Sequence, residues 1–212
     1  PYHHLAAGYV RDGDSVLDVG CGLGNLGALI RLRRLRAWLV GLDVCRSYME
    51  AAKHFYDELI LWDLRRLPLP FRDRMFDLVV CTEVIEHLPK RAGLDLLREL
   101  RRVGGRVVAS TPAFFKPHRP GEENPFELHV SHYSVEELRA LGYRPVAYLG
   151  GTLRPPYYRA SSRLARRAIA AATSLFKALP GLRPILGERL GCLLVEASAR
   201  ARPTYVFLEA QP

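Results

Sequence analysis

The sequence has few amide side chains and few cysteines. Gln211 is its only glutamine, Asn25 and Asn124 are its only asparagines, and its four cysteines show no metal-ligand spacing. We therefore expect the cysteines to be small buried residues rather than parts of a disulfide framework or a zinc site. A shortage of thermolabile amides beside many charged residues is typical of a thermophile.

Long apolar runs are also missing. No stretch approaches the roughly 20 apolar residues of a membrane-spanning helix, and the first residues show no secretory signal pattern. These absences predict a cytoplasmic protein. With 212 residues, 49% of them hydrophobic, the chain can bury a core as a single domain over residues 1–212.

Positive charge is concentrated in one segment. The formal net charge is +9, and residues 154–189 hold eight Lys and Arg residues against one acid, Glu188. Apolar residues at helical spacing predict a basic helical insertion over residues 154–190. Such a helix fits peripheral contact with an anionic membrane, a cover over a lipid-linked acceptor, a groove for RNA, or an ordinary surface helix. We favour the lipid or membrane partner over nucleic acid, because no aromatic side chain lies between Arg159 and Arg167 to stack on bases.

Short apolar runs alternate with helical patterns along the chain, which indicates βαβ units and a largely parallel sheet. The expected fold class is α/β, a Rossmann-like seven-stranded, mostly parallel sheet with helices on both faces and the helical insertion before the last strand. Strand candidates are residues 15–19, 37–42, 58–62, 76–81, 105–110, 143–149, 191–199 and 204–209, and helix candidates are residues 26–35, 47–56, 92–103 and 134–141. Ser134 and Glu137 form a capping-box pattern at the start of the last of these helices.

The first strand runs into a glycine-rich loop, Asp18-Val19-Gly20-Cys21-Gly22-Leu23-Gly24. Glycines allow a tight turn and a close approach of the backbone to a ligand, whose polar groups meet the free N–H groups of the following helix. With Gly27, the loop also satisfies the dinucleotide spacing, so an NAD(P)-dependent oxidoreductase is an alternative.

Acidic residues stand at three successive strand ends. Asp18 can anchor an amino-acid ammonium group, Asp43 can accept from both ribose hydroxyls, and Asp63 beside Leu64 suits the amino edge of adenine. Dinucleotides have no ammonium group. The three acids therefore favour a nucleoside that carries an amino-acid tail.

Four segments in order, VLDVGCGLGNLG, GLDVCRSYMEAA, LWDLRRLPLPFRDRMFDLVVCTEVIEHL and GGRVVASTP, resemble the motifs of class I S-adenosylmethionine (SAM) dependent methyltransferases, and the resemblance covers about residues 5–149. It implies that residues 46–48 flank the adenine. It further implies a set of cofactor-binding residues: Asp18, Gly20, Cys21, Gly22, Gly24, Asp43, Val44, Asp63, Leu64 and Thr82.

The segment after the fourth strand contains Glu83, Glu86 and His87, which share one face if the segment is helical. It resembles an E-x-x-E-H motif that, with a later histidine, binds a divalent metal in the ubiquinone-pathway O-methyltransferases and the small-RNA 2′-O-methyltransferases. His129 is the candidate for that later ligand and His132 is its alternative. In many relatives the same motif binds no metal, and Glu83, His87 or His129 could then act as general base.

Residues 111–134 form a long loop rich in proline and aromatic residues, which we interpret as a substrate lid. The expected reaction is methyl transfer to an oxygen of a small-molecule or lipid-linked acceptor. Three alternatives remain: an RNA methyltransferase that uses the basic insertion, an NAD(P)-dependent oxidoreductase, and a SAM-binding protein without catalysis.

Overall fold

A computed structural model of the chain describes residues 2–112, 124–148 and 205–210. Seven strands and five α-helices lie in these ranges. The strands are β1 (Ser15–Val19), β2 (Trp38–Asp43), β3 (Glu58–Leu61), β4 (Phe76–Thr82), β5 (Gly104–Pro112), β6 (Arg144–Tyr148) and β7 (Tyr205–Ala210). The helices are α1 (Tyr2–Ala6), α2 (Asn25–Leu32), α3 (Arg46–Ala52), α4 (Lys90–Val103) and α5 (Val135–Ala140), with short 3₁₀ helices at Ile85–His87 and Pro125–Glu127.

All seven strands form one sheet in the order β3-β2-β1-β4-β5-β7-β6. Strands β1 to β5 are parallel, whereas β7 runs antiparallel to both β5 and β6. The chain builds outward from β1 first toward β3 and then toward β5. A crevice therefore opens beside β1, at the carboxyl ends of the strands, where open α/β sheets bind their ligands.

The sheet is buried on both faces, and successive residues of its strands serve opposite faces. Leu17 and Val19 of β1 pack into a cluster with α4 and α5, whereas Val16 packs into a second cluster with α1, α2 and α3. Strands buried on both sides need apolar residues throughout, which explains the continuous apolar runs that revealed them in the sequence.

The structure confirms the predicted α/β class and the seven-stranded, mostly parallel sheet, with strand ends that shift by one or two residues. The capping box at Ser134 and Glu137 is present, with reciprocal side-chain to backbone hydrogen bonds. Helix α1 was not predicted, since five residues carry too little periodicity. The lid residues 113–123, the basic insertion at 154–190 and the strand candidate at 191–199 lie outside the described residues, so those predictions stay predictions.

The helical condition attached to Glu83, Glu86 and His87 is not met. Residues 83–87 do not form a continuous helix, because only Ile85–His87 is helical and it is a 3₁₀ turn. The backbone of Glu83 is left-handed, with φ of +56°, and a right-handed helix cannot pass through it. No helix in the described part of the chain has the length and apolarity needed to cross a bilayer.

Candidate cofactor and acceptor site

A cavity of about 780 Å³ opens at the carboxyl ends of the central strands, in the crevice beside β1. Eight of the residues predicted to bind the cofactor line this cavity: Gly20, Cys21, Gly22, Asp43, Val44, Asp63, Leu64 and Thr82. Two others, Asp18 and Gly24, are not part of its wall. Most of the residues predicted to bind the cofactor therefore meet at one cavity, and their role in binding it stays a prediction.

The glycine loop forms the floor of the cavity, and three of its glycines have a positive φ: Gly20 at +77°, Gly22 at +52° and Gly24 at +84°. A Cβ at Gly20 would lie 2.4 Å from a methyl group of Val84, and one at Gly24 would lie 2.9 Å from the backbone of Ala52. A Cβ at Gly22 would meet nothing within 4 Å. Gly20 and Gly24 are therefore required for packing, whereas the space at Gly22 belongs to the cavity.

Asp43 ends β2 and joins the two neighbouring turns. Its Oδ2 accepts the N–H of Gly22 at 2.8 Å, and its Oδ1 accepts the N–H of Cys45 at 2.8 Å. Each carboxylate oxygen can accept a further hydrogen bond. Because these two bonds orient the carboxylate at the cavity wall, Asp43 is suited to receive a pair of ribose hydroxyls.

Asp63 forms an ion pair with Arg65, two residues later in the chain. The guanidinium of Arg65 donates to both carboxylate oxygens, from Nη2 at 2.6 Å and from Nε at 2.9 and 3.1 Å. These bonds hold the pKa of Asp63 below its usual range. Leu64 stands between Asp63 and Arg65 in the sequence, is buried and lines the cavity. An adenine amino group would therefore share Asp63 with Arg65.

The 3₁₀ turn Pro125–Glu127 also lines the cavity, and it lies within the segment 111–134 that we interpreted from sequence as a substrate lid. The Tyr48 hydroxyl donates to Oε1 of Glu127 at 2.8 Å, and the Arg65 guanidinium lies 5.9 Å from the ring centre of Phe126. Asn124 caps the turn by accepting the Phe126 N–H. An asparagine followed by proline is a helix-start signal. The Tyr48–Glu127 hydrogen bond joins residues 79 positions apart, so no local sequence pattern predicts it.

Asp18, in β1, is 3% exposed. Its Oδ2 accepts the Tyr56 hydroxyl at 2.5 Å, and the Tyr56 oxygen accepts the Gly27 N–H at 3.2 Å. Burial raises the pKa of Asp18 to about 7, and nearby Asp43 also raises it, whereas the Tyr56 hydrogen bond lowers it. A buried carboxylate whose pKa is near 7 favours a cation as its partner.

Glu83 follows β4 and faces the cavity. Its left-handed backbone is unusual for a residue with a side chain, and its N–H donates to the Ser110 carbonyl at 3.0 Å. Ser110 also donates from its hydroxyl to Oε1 of Glu83 at 2.7 Å. Such conformations cost about 1–3 kcal/mol and persist where the surroundings hold them, often at functional sites.

Three of the predicted catalytic residues come together. One ligand atom each from Glu86, His87 and His129 lies within 4.8 Å of the others. The two imidazole rings meet edge to face at 4.8 Å between centres, and Nδ1 of His87 lies 3.2 Å from the Leu128 carbonyl oxygen. His87 also lines the cavity, which makes this acceptor cluster continuous with it.

Glu86 is 2% exposed. Its Oε2 accepts from Thr111 at 3.2 Å, and its buried Oε1 has no hydrogen-bond partner among the described residues. Burial raises the pKa of Glu86 well above its usual range, and Glu83 raises it further. Glu83 itself and the alternative ligand His132 do not join the three-residue cluster.

Comparison with known proteins agrees with this geometry. A family model described as a methyltransferase domain matches residues 16–104. The methyltransferase GfsG of Streptomyces halstedii is 34% identical over 108 residues, 47% of this chain and 38% of that protein. A ubiquinone biosynthesis O-methyltransferase of Psychrobacter arcticus is 35% identical over 117 residues, 51% of this chain and 45% of that protein. The matched segments thus span less than half the length of these relatives.

The fold is shared over a longer stretch. The structure of a SAM-dependent methyltransferase from Archaeoglobus fulgidus covers 99% of this chain and 94% of its own, with a TM-score of 0.58 and 16% identity. The sheet order, the glycine loop and the methyltransferase domain matched over residues 16–104 support a class I SAM-dependent methyltransferase. The comparisons do not identify the methyl acceptor.

Proposed function

We propose that the protein transfers the methyl group of SAM to an oxygen of a small-molecule or lipid-linked acceptor. The observation that carries this proposal is the acceptor cluster of Glu86, His87 and His129, which adjoins the cofactor cavity through His87. A carboxyl group and two imidazoles together can hold and deprotonate a hydroxyl group.

The residues on the cofactor side would position SAM. SAM, when bound, provides an electrophilic methyl group on a sulfonium centre. Asp43 would receive the ribose hydroxyls and Asp63 with Leu64 the adenine edge, while the open space at Gly22 would admit the ligand close to the backbone. Holding the nucleophile in line with the methyl group in a site shielded from water supplies much of the rate of such a reaction.

The acceptor side has to take up the hydroxyl proton. A new carbon–oxygen bond forms while the methyl–sulfur bond breaks, and the hydroxyl loses its proton to a base. His87 or His129 can take that proton, because the unprotonated nitrogen of a neutral imidazole accepts one. Glu86 lies within reach of both rings and would stabilise the imidazolium that forms.

The same three side chains also fit a divalent metal. Glu86 offers a buried, unpartnered oxygen, and a carboxylate with two imidazoles suits Mg, Mn, Fe or Zn without selecting one of them. A metal held by Glu86, His87 and His129 would act as a Lewis acid that lowers the pKa of an acceptor hydroxyl.

The test is a transfer assay that starts from labelled SAM. The protein is incubated with separated lipid, small-molecule and RNA fractions of a cell extract, and the labelled product is treated with hydriodic acid to release methyl groups bound to oxygen. We expect label in the lipid or small-molecule fraction. If the label is instead in RNA, so that nuclease treatment releases it, the protein is an RNA methyltransferase. SAM binding without any labelled product would establish a non-catalytic SAM-binding protein.

Titration calorimetry with SAM, S-adenosylhomocysteine, NAD and NADP tests the remaining alternative. We expect binding of SAM and of S-adenosylhomocysteine only. Tight binding of NAD or NADP without SAM binding would replace the methyltransferase proposal with an oxidoreductase.

The metal is tested by elemental analysis of protein purified without added metal, alongside activity after chelation. Bound metal that is lost in a Glu86→Gln, His129→Ala double variant would establish the site. Absence of metal together with full activity in chelator would assign the cluster to base catalysis.

Membrane contact through residues 154–189 is a separate proposal, which rests on their eight basic residues. Co-sedimentation of the full chain with anionic and neutral vesicles tests it, with a triple variant, Arg163→Glu, Arg166→Glu and Arg167→Glu, for comparison. We expect binding to anionic vesicles that weakens with salt and is reduced in the variant. Equal sedimentation with both vesicle types would reject the proposal.

A further inference from the structure

Tyr56 follows α3 and plays no part in the function proposed above, yet its side chain contacts both Asp18 and the helix after the glycine loop. The residue is 8% exposed. Its hydroxyl donates to Oδ2 of Asp18 at 2.5 Å and accepts the N–H of Gly27, in the first turn of α2, at 3.2 Å. A single oxygen therefore joins the acid of β1 to the helix that follows the glycine loop.

Two glycines make room for this ring. A Cβ at Gly27 would lie 2.7 Å from Cε2 of Tyr56, and a Cβ at Gly41 would lie 3.1 Å from its Cδ1. Gly27 completes the dinucleotide-like spacing in the sequence, but the structure gives it a packing role. The glycine that suggested a dinucleotide site is thus explained by the tyrosine packed against it.

We propose that Tyr56 is a positioning residue of the SAM site, which holds the Asp18 carboxylate for the cofactor's ammonium group and anchors it to α2. The inference rests on the proposed function, because it needs SAM as the ligand. One carboxylate oxygen is engaged by Tyr56, so the other remains to accept from the ligand.

The surroundings of Asp18 make its charge sensitive to this contact. The titratable groups that face Asp18 are Tyr56, Cys21 in the glycine loop, Asp43 at the end of β2 and Cys81 in β4. Burial raises the pKa of both thiols and of the phenol, so these three groups stay neutral near pH 7. The Tyr56 hydroxyl therefore remains a donor, and it is the contact that stabilises the ionised Asp18.

SAM binding should weaken at acidic pH. The pKa of Asp18 is about 7 and the ligand's ammonium binds its ionised form, so SAM affinity falls as the pH drops below 7, by at most about tenfold per pH unit. Removal of the Tyr56 hydroxyl raises the pKa of Asp18 and moves this acid limb to higher pH. A charge-assisted hydrogen bond of ordinary strength predicts a shift of about one pH unit or more.

The experiment measures the dissociation constants of SAM and S-adenosylhomocysteine between pH 5.5 and 8.5 by calorimetry. The variants are Tyr56→Phe and Asp18→Asn, with Tyr143→Phe as the matched control. Tyr143 is another buried tyrosine, and it donates to the Leu97 carbonyl at 2.7 Å, away from Asp18. The ligand's own ammonium titrates identically in every variant, so variants are compared at equal pH.

We expect the acid limb to move to higher pH in Tyr56→Phe, to disappear in Asp18→Asn and to stay in place in Tyr143→Phe, for both ligands. Gly27→Ala should reproduce the Tyr56→Phe shift, because the new methyl group displaces the ring. An unmoved acid limb in Tyr56→Phe, or an equal shift in Tyr143→Phe, would overturn the inference. If the wild-type protein binds SAM at no pH, the proposed function itself fails, which is a different result.

Discussion

The two ends of the cavity differ in how far their polar groups are already satisfied. At the cofactor end, Asp43 accepts two backbone N–H groups, Asp63 is paired with Arg65, and Asp18 is held by Tyr56. At the acceptor end, Glu86 keeps one buried oxygen without a partner within the described ranges. The cofactor end is thus arranged before a ligand arrives, whereas the acceptor end holds a polar group that no described residue satisfies and that a bound ligand can.

The largest effect we expect comes from Glu86→Gln. Glutamine has the shape of the protonated acid, so the fold is kept, but it cannot take a negative charge beside the imidazoles. The turnover number should fall by about 10²–10⁴-fold, the range of a lost general acid–base contribution, with SAM affinity unchanged. Steady-state kinetics and calorimetry measure the two quantities.

Glu136→Gln is the matched control for that variant, because Glu136 is an exposed carboxylate of α5. Its kinetics should equal those of the wild-type protein. A parallel loss of turnover and SAM affinity in Glu86→Gln would show that the two ends of the cavity do not act separately.

Asp43→Ala tests the cofactor end. The variant loses the charge-assisted bonds to Gly22 and Cys45 as well as the expected ribose contacts, so SAM affinity should fall about 100-fold, at roughly 1.5–3 kcal/mol for each charged hydrogen bond. The turnover number at saturating SAM should change far less. Calorimetry that shows unchanged affinity would remove Asp43 from the cofactor site.

Much of this cofactor end was predictable from sequence, because its signals are local. Glycines 20, 22 and 24 turn directly after an apolar strand, and Asp43 and Asp63 follow the strands that bring them to the same edge. The sheet was predictable for the same reason, since both of its faces are buried and its strands are apolar throughout.

The acceptor end was harder to predict because its contacts join distant segments. His87 and His129 were named as candidates, but their edge-to-face packing joins residues that are 42 positions apart in the chain. The left-handed backbone of Glu83 overrode the helical spacing that had placed it beside Glu86. Tyr56 carried no motif at all, and only packing against Gly27 and Gly41 reveals its role.

Gly22→Ala tests whether the open space at Gly22 is needed for the cofactor, apart from the backbone strain that the substitution causes. The new Cβ meets no protein atom within 4 Å but projects where the cofactor is expected, so SAM affinity should fall about tenfold or more, at 1.4 kcal/mol per factor of ten. Gly13→Ala is the control, because Gly13 has φ of +88° and equally open space, yet does not line the cavity. Both variants should lose a similar, small amount of stability, about 1 kcal/mol. Equal SAM affinity in the two variants would show that the space at Gly22 holds no cofactor.

The smallest effect concerns the fold of the acceptor wall rather than its chemistry. Ser134 caps α5 by accepting the Glu137 N–H, and Glu137 also binds Lys90 at 2.6 Å. Ser134→Ala should lower the free energy of unfolding by about 1 kcal/mol and the melting temperature by about 2–4 °C. Ser134→Asp should restore both, since aspartate caps as well as serine. SAM affinity and turnover should not change in either variant, because Tyr133 is bound separately to the Ile85 carbonyl at 2.9 Å and keeps the segment beside His87 in place. A loss of turnover in Ser134→Ala that Ser134→Asp restores would instead make the cap part of the acceptor site.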